Sequence, residues 1–333
     1  MFASVPRRLC ASARSGNERM ILYLIRRLLG IVPVLALVAI TSFLLVYLVP
    51  GDPAMVMLGS DATPEQIQTL RTQMGLDRSL PEQFVLWLGQ ALRGNLGESF
   101  FLGRPVTQAL MERLPATMQL AMLSLLFSLL IGIPAGIVAA VRQNSRWDQM
   151  VMVVAMGGIS VPSFWLGLAM ILLFSVQLGW LPSGGYAPLW EDFGHGLRTL
   201  ILPAIALGFM QAALIARMTR SSMLEVLRQD YVRTAKAKGL GWSRVTLRHA
   251  LKNAMIPVIT TIGTAFGVLL GGAVIVEIVF TYPGLGRLVV LAVQRRDYPL
   301  VQGALLLTSV IYVVVNLAAH LLYSVFDPRI TYE

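Results

Sequence analysis

Charge is scarce in this sequence. Only 13% of its 333 residues are Asp, Glu, Lys or Arg, while 56% are hydrophobic. A soluble domain carries about a quarter charged residues, nearly twice this share, which argues against a water-facing globule. Cysteine occurs once, at Cys10, and no disulfide can form within the chain. The 3 histidines are scattered, and with one cysteine they leave no metal-ligand pattern. No G-x-x-x-x-G-K-[ST] string is present, so the chain has no phosphate loop with which to drive itself on ATP. Acid is scarcer than base, 17 against 27, for a net charge of +10. Such a surplus can signal nucleic acid. Here the basic residues gather at the ends of apolar runs and in one connecting segment, the pattern of cytoplasmic membrane loops, and nucleic acid is rejected as a partner.

What is abundant is unbroken apolar sequence. Residues 29–49 contain no charge, and roughly 20 residues of helix cross a hydrocarbon core of about 30 Å. A backbone in lipid must satisfy its own hydrogen bonds, which favours helices. The fold expected is all-α, a polytopic membrane bundle with membrane lipid as its surroundings. Six spans are expected, at 28–49, 115–141, 150–180, 199–216, 256–280 and 300–326. Arg26 and Arg27 precede the first, and Arg142 and Arg146 separate the second and third. Residues 217–253 are crowded with Lys and Arg, opposed only by Glu225 and Asp230. These segments belong on the cytoplasmic side, with both termini, and residues 50–114 outside. Arg287, Arg295 and Arg296 then fall outside, a mild exception.

Residues 1–19 are polar and unpatterned. They are expected to be a non-native or disordered extension, with Met20 as the start. A signal peptide is set aside because the first apolar run is too long and ends without a small-residue cleavage site. Residues 20–114 form a first span plus an outer segment, and 115–333 a five-helix core carrying a cytoplasmic loop at 217–253. In the outer segment, Thr63, Pro64 and Gln66 read as a helix start, as do Ser79 and Glu82, with Gly75 and Gly94 as stops. Phe84, Trp87, Leu88, Ala91 and Leu92 should share one face of the second helix.

Gly132 and Gly136 stand four apart, as do Gly263, Gly267 and Gly271. That spacing brings helix backbones together, within the chain or against a partner subunit. The third span is some 45 Å of helix and must tilt or break, at Gly157 and Gly158 or at Val161, Pro162 and Ser163. Ser160, Pro162 and Ser163 are therefore candidates for a translocation path or gate, a structural kink being the alternative. Glu277 is the one acid well inside an apolar run. It is a further path candidate, or a structural partner for an arginine such as Arg287, or a hydrated interfacial group.

The basic segment carries the most specific signal. Leu224, Leu227, Tyr231, Ala235 and Gly239 recur at threes and fours and should share one helical face, with a narrow Ala–Gly tip suited to a groove on a soluble partner. Residues 230–240 read DYVRTAKAKGL. This string closely resembles the cytoplasmic coupling loop of binding-protein-dependent ABC importer permeases, in its dipeptide/oligopeptide version. The shared alanine and glycine of that loop fall on Ala235 and Gly239. Its namesake glutamate is absent, Arg233 standing in its place, as is usual in this branch. Residues 249–257, 49–53, 277–287, 295–299 and 327–330 resemble the branch as well.

The resemblance implies a type I ABC importer permease (MetI-like) fold in a bacterial inner membrane. It implies an ATPase-coupling role for Asp230, Tyr231, Arg233, Thr234, Ala235, Ala237, Lys238 and Gly239. The chain itself would hold no cofactor, ATP being bound by cytoplasmic ABC ATPase subunits. A second homologous permease, in a heterodimer, and a periplasmic solute-binding protein would complete the transporter. Its solutes would be dipeptides, oligopeptides, glutathione or nickel chelates. A stand-alone secondary transporter or channel would need ionisable groups in mid-span. An intramembrane enzyme would need a nucleophile with its base, or paired carboxylates. Mid-span charge is nearly missing here, Ser160 and Ser163 have no histidine in the same run, and no second acid accompanies Glu277.

Overall fold

The computed structural model describes residues 29–326 apart from 46, 48–52, 60–61 and 74. Residues 1–19, Met20, Arg26, Arg27, residues 327–330 and most of 49–53 lie outside the described part. The described chain runs α1 (Leu29–Leu45), α2 (Pro53–Leu58), α3 (Pro64–Gln73), α4 (Leu80–Leu92) and a small antiparallel hairpin, β1 (Glu98–Ser99) with β2 (Arg104–Pro105). It continues with α5 (Val106–Val141), α6 (Arg146–Ser160), α7 (Ser163–Gln177) and α8 (Phe193–Leu227). Then come α9 (Asp230–Ala237), α10 (Trp242–Val279), α11 (Leu285–Gln294) and α12 (Tyr298–Phe326).

Among the described residues, α5, α8, α10 and α12 are long and apolar enough to cross a membrane. The pair α6–α7 meets the same test as one span bent by 104°. α1 is a shorter apolar helix, and the span expected at 28–49 runs past its described part. The helices outrun the apolar stretches: α5 begins at Val106 rather than near 115, and α8 reaches from Phe193 to Leu227.

α8 is the central post. Of its most apolar stretch 72% is buried, against 33% or less for α5, α10 and α12. Glycines set how closely α5 approaches it. A Cβ on Gly132 would lie 2.7 Å from the Ala212 carbonyl oxygen, one on Gly136 2.5 Å from that of Ala216, and one on Gly208 2.5 Å from that of Ser124. These distances are below any van der Waals contact, so the two backbones touch along the seam. Ser128 adds an interhelical bond, its Oγ donating to the Gly208 carbonyl at 2.7 Å. The second glycine series divides. Gly267 faces the Tyr312 ring of α12, Gly263 is half-buried, and Gly271 faces open space.

Both outer helix starts form as the sequence implies. The Thr63 N–H donates to Gln66 Oε1 at 2.9 Å and the Gln66 N–H to Thr63 Oγ1 at 3.3 Å, while Ser79 and Glu82 form a second reciprocal cap. Gly75 and Gly94 follow with φ of 67° and 80°. Phe84 and Trp87 pack on Phe43 of α1, and the Tyr47 hydroxyl bonds Gln83. Leu92, expected on that face, is 80% exposed instead. At the start of α12, Asp297 receives the Ser99 hydroxyl at 2.6 Å and the Phe101 N–H at 3.0 Å, fixing the hairpin to the last helix. Arg295 stacks on Phe101 and Arg287 donates to the Thr281 carbonyl, so two of the arginines that break the charge rule are held by packing and hydrogen bonds.

Candidate coupling helix and membrane passage

Two chain breaks isolate α9. α8 ends at Leu227, and Gln229 is extended (φ −69°, ψ 149°) before α9 begins at Asp230. The continuous face expected from Leu224 to Gly239 is therefore divided between two helices. At the far end Gly239 takes φ 78°, its N–H donating to the Lys236 carbonyl at 3.0 Å, and it closes the helix as a left-handed cap.

Ala235 is turned inward, correcting the expectation of an Ala–Gly tip. It packs with Val232 and Val245, against Val226, Leu227 and Leu240. Tyr231, Arg233, Thr234, Ala237, Lys238 and Gly239 are exposed, and Tyr231, Thr234 and Lys238 follow one another at helical spacing. Two contacts tie α9 to the start of α10: Asn253 Nδ2 donates to the Tyr231 hydroxyl at 2.7 Å, and Lys236 Nζ sits 4.3 Å from the centre of the Trp242 ring. The Asp230–Arg233 pair, at 3.4 Å, is exposed and adds little.

The break in the third span falls at Val161 and Pro162, both extended, while Gly157 and Gly158 remain helical. Proline supplies no N–H to continue the helix and pushes the preceding residue out of the helical region. Gly158 serves packing instead, against Ala213 and Phe209. Ser160, Pro162 and Ser163 all line a cavity of about 250 Å³, whose other walls come from α8 and α10. The Ser160 hydroxyl is already spent on the Met156 carbonyl, 3.0 Å away.

Glu277 does not join them. It has no exposed surface, so it lines no path in this structure. Thr117 of α5 donates to its Oε1 at 2.6 Å and the Arg287 backbone N–H to its Oε2 at 2.9 Å. Thr117 Oγ1 in turn accepts the Leu285 N–H at 2.8 Å. The carboxylate is thus the N-terminal anchor of α11, bonded to the backbone of Arg287 and not to its guanidinium. Gly284 lies so close that any Cβ there would run into the carboxylate.

Sequence reasoning missed one further element. Asp148, at 3% exposure, pairs with Arg220 and so fastens the start of α6 to α8. The contact brings the 142–146 connection to the same end of the bundle as α9.

Comparison with known proteins shows the family. The model of the binding-protein-dependent transport system inner membrane component matches residues 132–332, and that of the N-terminal part of such membrane components matches residues 20–121. A putative peptide transport system permease protein of Brucella abortus (strain 2308) is 45% identical over 310 residues, 93% of this chain and 99% of the relative. The glutathione transport system permease protein GsiC of Escherichia coli (strain K12) is 44% identical over 315 residues, 94% of this chain and 100% of the relative. A chain of the MetNI methionine ABC transporter in an inward-facing conformation superposes with a TM-score of 0.55 at 19% identity, covering 66% of this chain and 97% of that one. At that identity the likeness is one of fold.

Proposed function

Because this chain belongs to the family of binding-protein-dependent transport system inner membrane components, we propose that it is the multi-pass permease subunit of an ATP-driven importer of peptides or peptide-like solutes. The observation that carries the reading is α9, a short helix with an exposed polar face, strapped to the ends of two membrane helices. ATPase subunits grip that helix through Tyr231, Thr234, Ala237 and Lys238, and those subunits bind the ATP. Asp230, Arg233 and Gly239 flank the contact, and Ala235 supports it from beneath.

Closure of the ATPases moves α9, and α8 and α10 pass the movement to the bundle. The contact must bind the outward- and inward-open states with different affinity, or no transport follows. A second, similar permease faces this chain across the passage, and an external binding protein delivers solute. Both termini and α9 lie on the cytoplasmic side, consistent with the basic residues at that end. Near-full-length likeness to putative peptide and glutathione permeases supports the solute class.

The test is reconstitution of the permease pair, ATPases and binding protein in proteoliposomes, with uptake of labelled peptides and of glutathione followed on ATP addition. ATP-dependent accumulation is expected. Failure to accumulate either solute, with an intact complex and binding-protein-stimulated ATPase, would exclude peptide-like solutes.

A further inference from the structure

The cavity at the elbow between α6 and α7 has walls that are apolar apart from Ser160, Ser163 and Gln211. Gln211 comes from near the middle of α8 and is 3% exposed. Sequence reading did not single it out, because one glutamine in an apolar run has no periodicity to mark it. An amide at this depth is costly unless its polar atoms find partners. It offers two N–H donors and a carbonyl acceptor. With the Ser160 hydroxyl donating to Met156, the Ser163 hydroxyl and the Gln211 amide remain as the cavity's donors, and of the two only the amide combines an N–H donor with a carbonyl acceptor held apart as in a peptide bond.

We infer that Gln211 is a passage contact for the secondary amide of the solute, donating to its carbonyl and accepting from its N–H. The inference rests on the transport reading above and deepens it. The ligand chemistry is complementary: a peptide bond carries one donor and one acceptor, as does glutathione at each of its amides. A single side-chain amide grips such a group weakly and independently of the flanking side chains, which suits a passage that must release what it holds. The elbow forms the facing wall, so a change in its angle would alter the room beside Gln211.

The experiment uses the complete reconstituted transporter, with tri-alanine and its depsipeptide analogue, in which an ester replaces one amide. Both are supplied at concentrations that saturate the binding protein, so that discrimination reports the passage. Wild type should carry tri-alanine about fivefold faster than the ester, the worth of roughly one hydrogen bond. Gln211→Met, similar in length but without the amide, should bring the two rates within about twofold while binding-protein-stimulated ATPase persists. Gln211→Asn, which retracts the amide, should fall between and serves if the methionine variant does not assemble. Wild-type rates and ratio in both variants would overturn the inference. So would an equal loss for both solutes with a lower melting temperature, which would make Gln211 a packing residue. A wild-type complex that carries neither tri-alanine nor glutathione would instead remove the functional reading itself, before any variant is compared.

Discussion

Asp148 and Arg220 meet side-on across the contact between α6 and α8, with Nε 2.5 Å from one carboxylate oxygen and Nη2 2.7 Å from the other. The Asn144 N–H adds a third bond at 2.9 Å, and the Arg220 side chain keeps 24% of its surface exposed. Removing one partner of such a pair strands the other, at a cost of about 3 kcal/mol given that partial exposure. Asp148→Asn should therefore lower the melting temperature of the purified permease. The double variant Asp148→Asn with Arg220→Met should recover most of the loss. Additive losses in that cycle would mean that the two side chains are not coupled.

The glycines of α5 and α10 should respond differently to the same change. Gly136→Ala drives a methyl to 2.5 Å from a backbone oxygen and should cost about 1–3 kcal/mol. Gly271→Ala meets nothing within 4 Å and should be neutral or slightly stabilising. Thermal unfolding in detergent compares the two. Equal effects would contradict the packing described here.

The exposed and buried faces of α9 should separate coupling from folding. Thr234→Arg and Ala237→Trp should weaken co-purification with the ATPases by about tenfold or more, as truncation or obstruction at an interface centre does. The permease itself should keep its melting temperature. Val232→Asp should lower that temperature, since Val232 is fully buried. Unchanged ATPase binding by both surface variants would place the coupling contact elsewhere.

Tyr282 carries a pH signature. It lies in the turn after α10, almost wholly buried and edge-on to Tyr186 at 5.3 Å, and its hydroxyl is unpartnered among the described residues. Burial pushes its phenol far above the ordinary value of 10.0. The folded state thus holds the proton more tightly than the unfolded one. That contribution is complete below about pH 10 and is lost as pH rises beyond it. Melting temperature should fall above pH 10, and Tyr282→Phe should flatten the fall. At neutral pH the same variant should be neutral or stabilising by up to about 1 kcal/mol, since it removes an unpaired buried hydroxyl. An unchanged alkaline slope would show that the fall arises from other groups.

Much of the architecture was legible because its causes are local or periodic. Apolar runs announced α5, α8, α10 and α12, the caps at Thr63 and Ser79 announced α3 and α4, and Pro162 marked the elbow. Gly132 and Gly136 announced close packing, though not that α8 would be the partner. What escaped depends on neighbours distant in sequence. Thr117 reaches Glu277 across 160 positions and Asp148 reaches Arg220 across 72. For Glu277 charge counting offered the Arg287 side chain as one of several readings, but the carboxylate takes the backbone N–H, a group every residue but proline owns. Ala235 was turned the wrong way because the break at Arg228 and Gln229 contains neither proline nor glycine. Periodicity across an unseen break assigns a residue to the wrong face.

The seam between α5 and α8 has a mechanical corollary. At Gly132, Gly136 and Gly208 the missing side chain is what lets a carbonyl oxygen of the other helix fit. Sliding either helix by one residue would set a side chain against that oxygen, so the pair is keyed and cannot shear. The two helices travel as one plank. A deformation that spares this seam has to fall elsewhere, as at the extended residues Val161, Pro162 and Gln229.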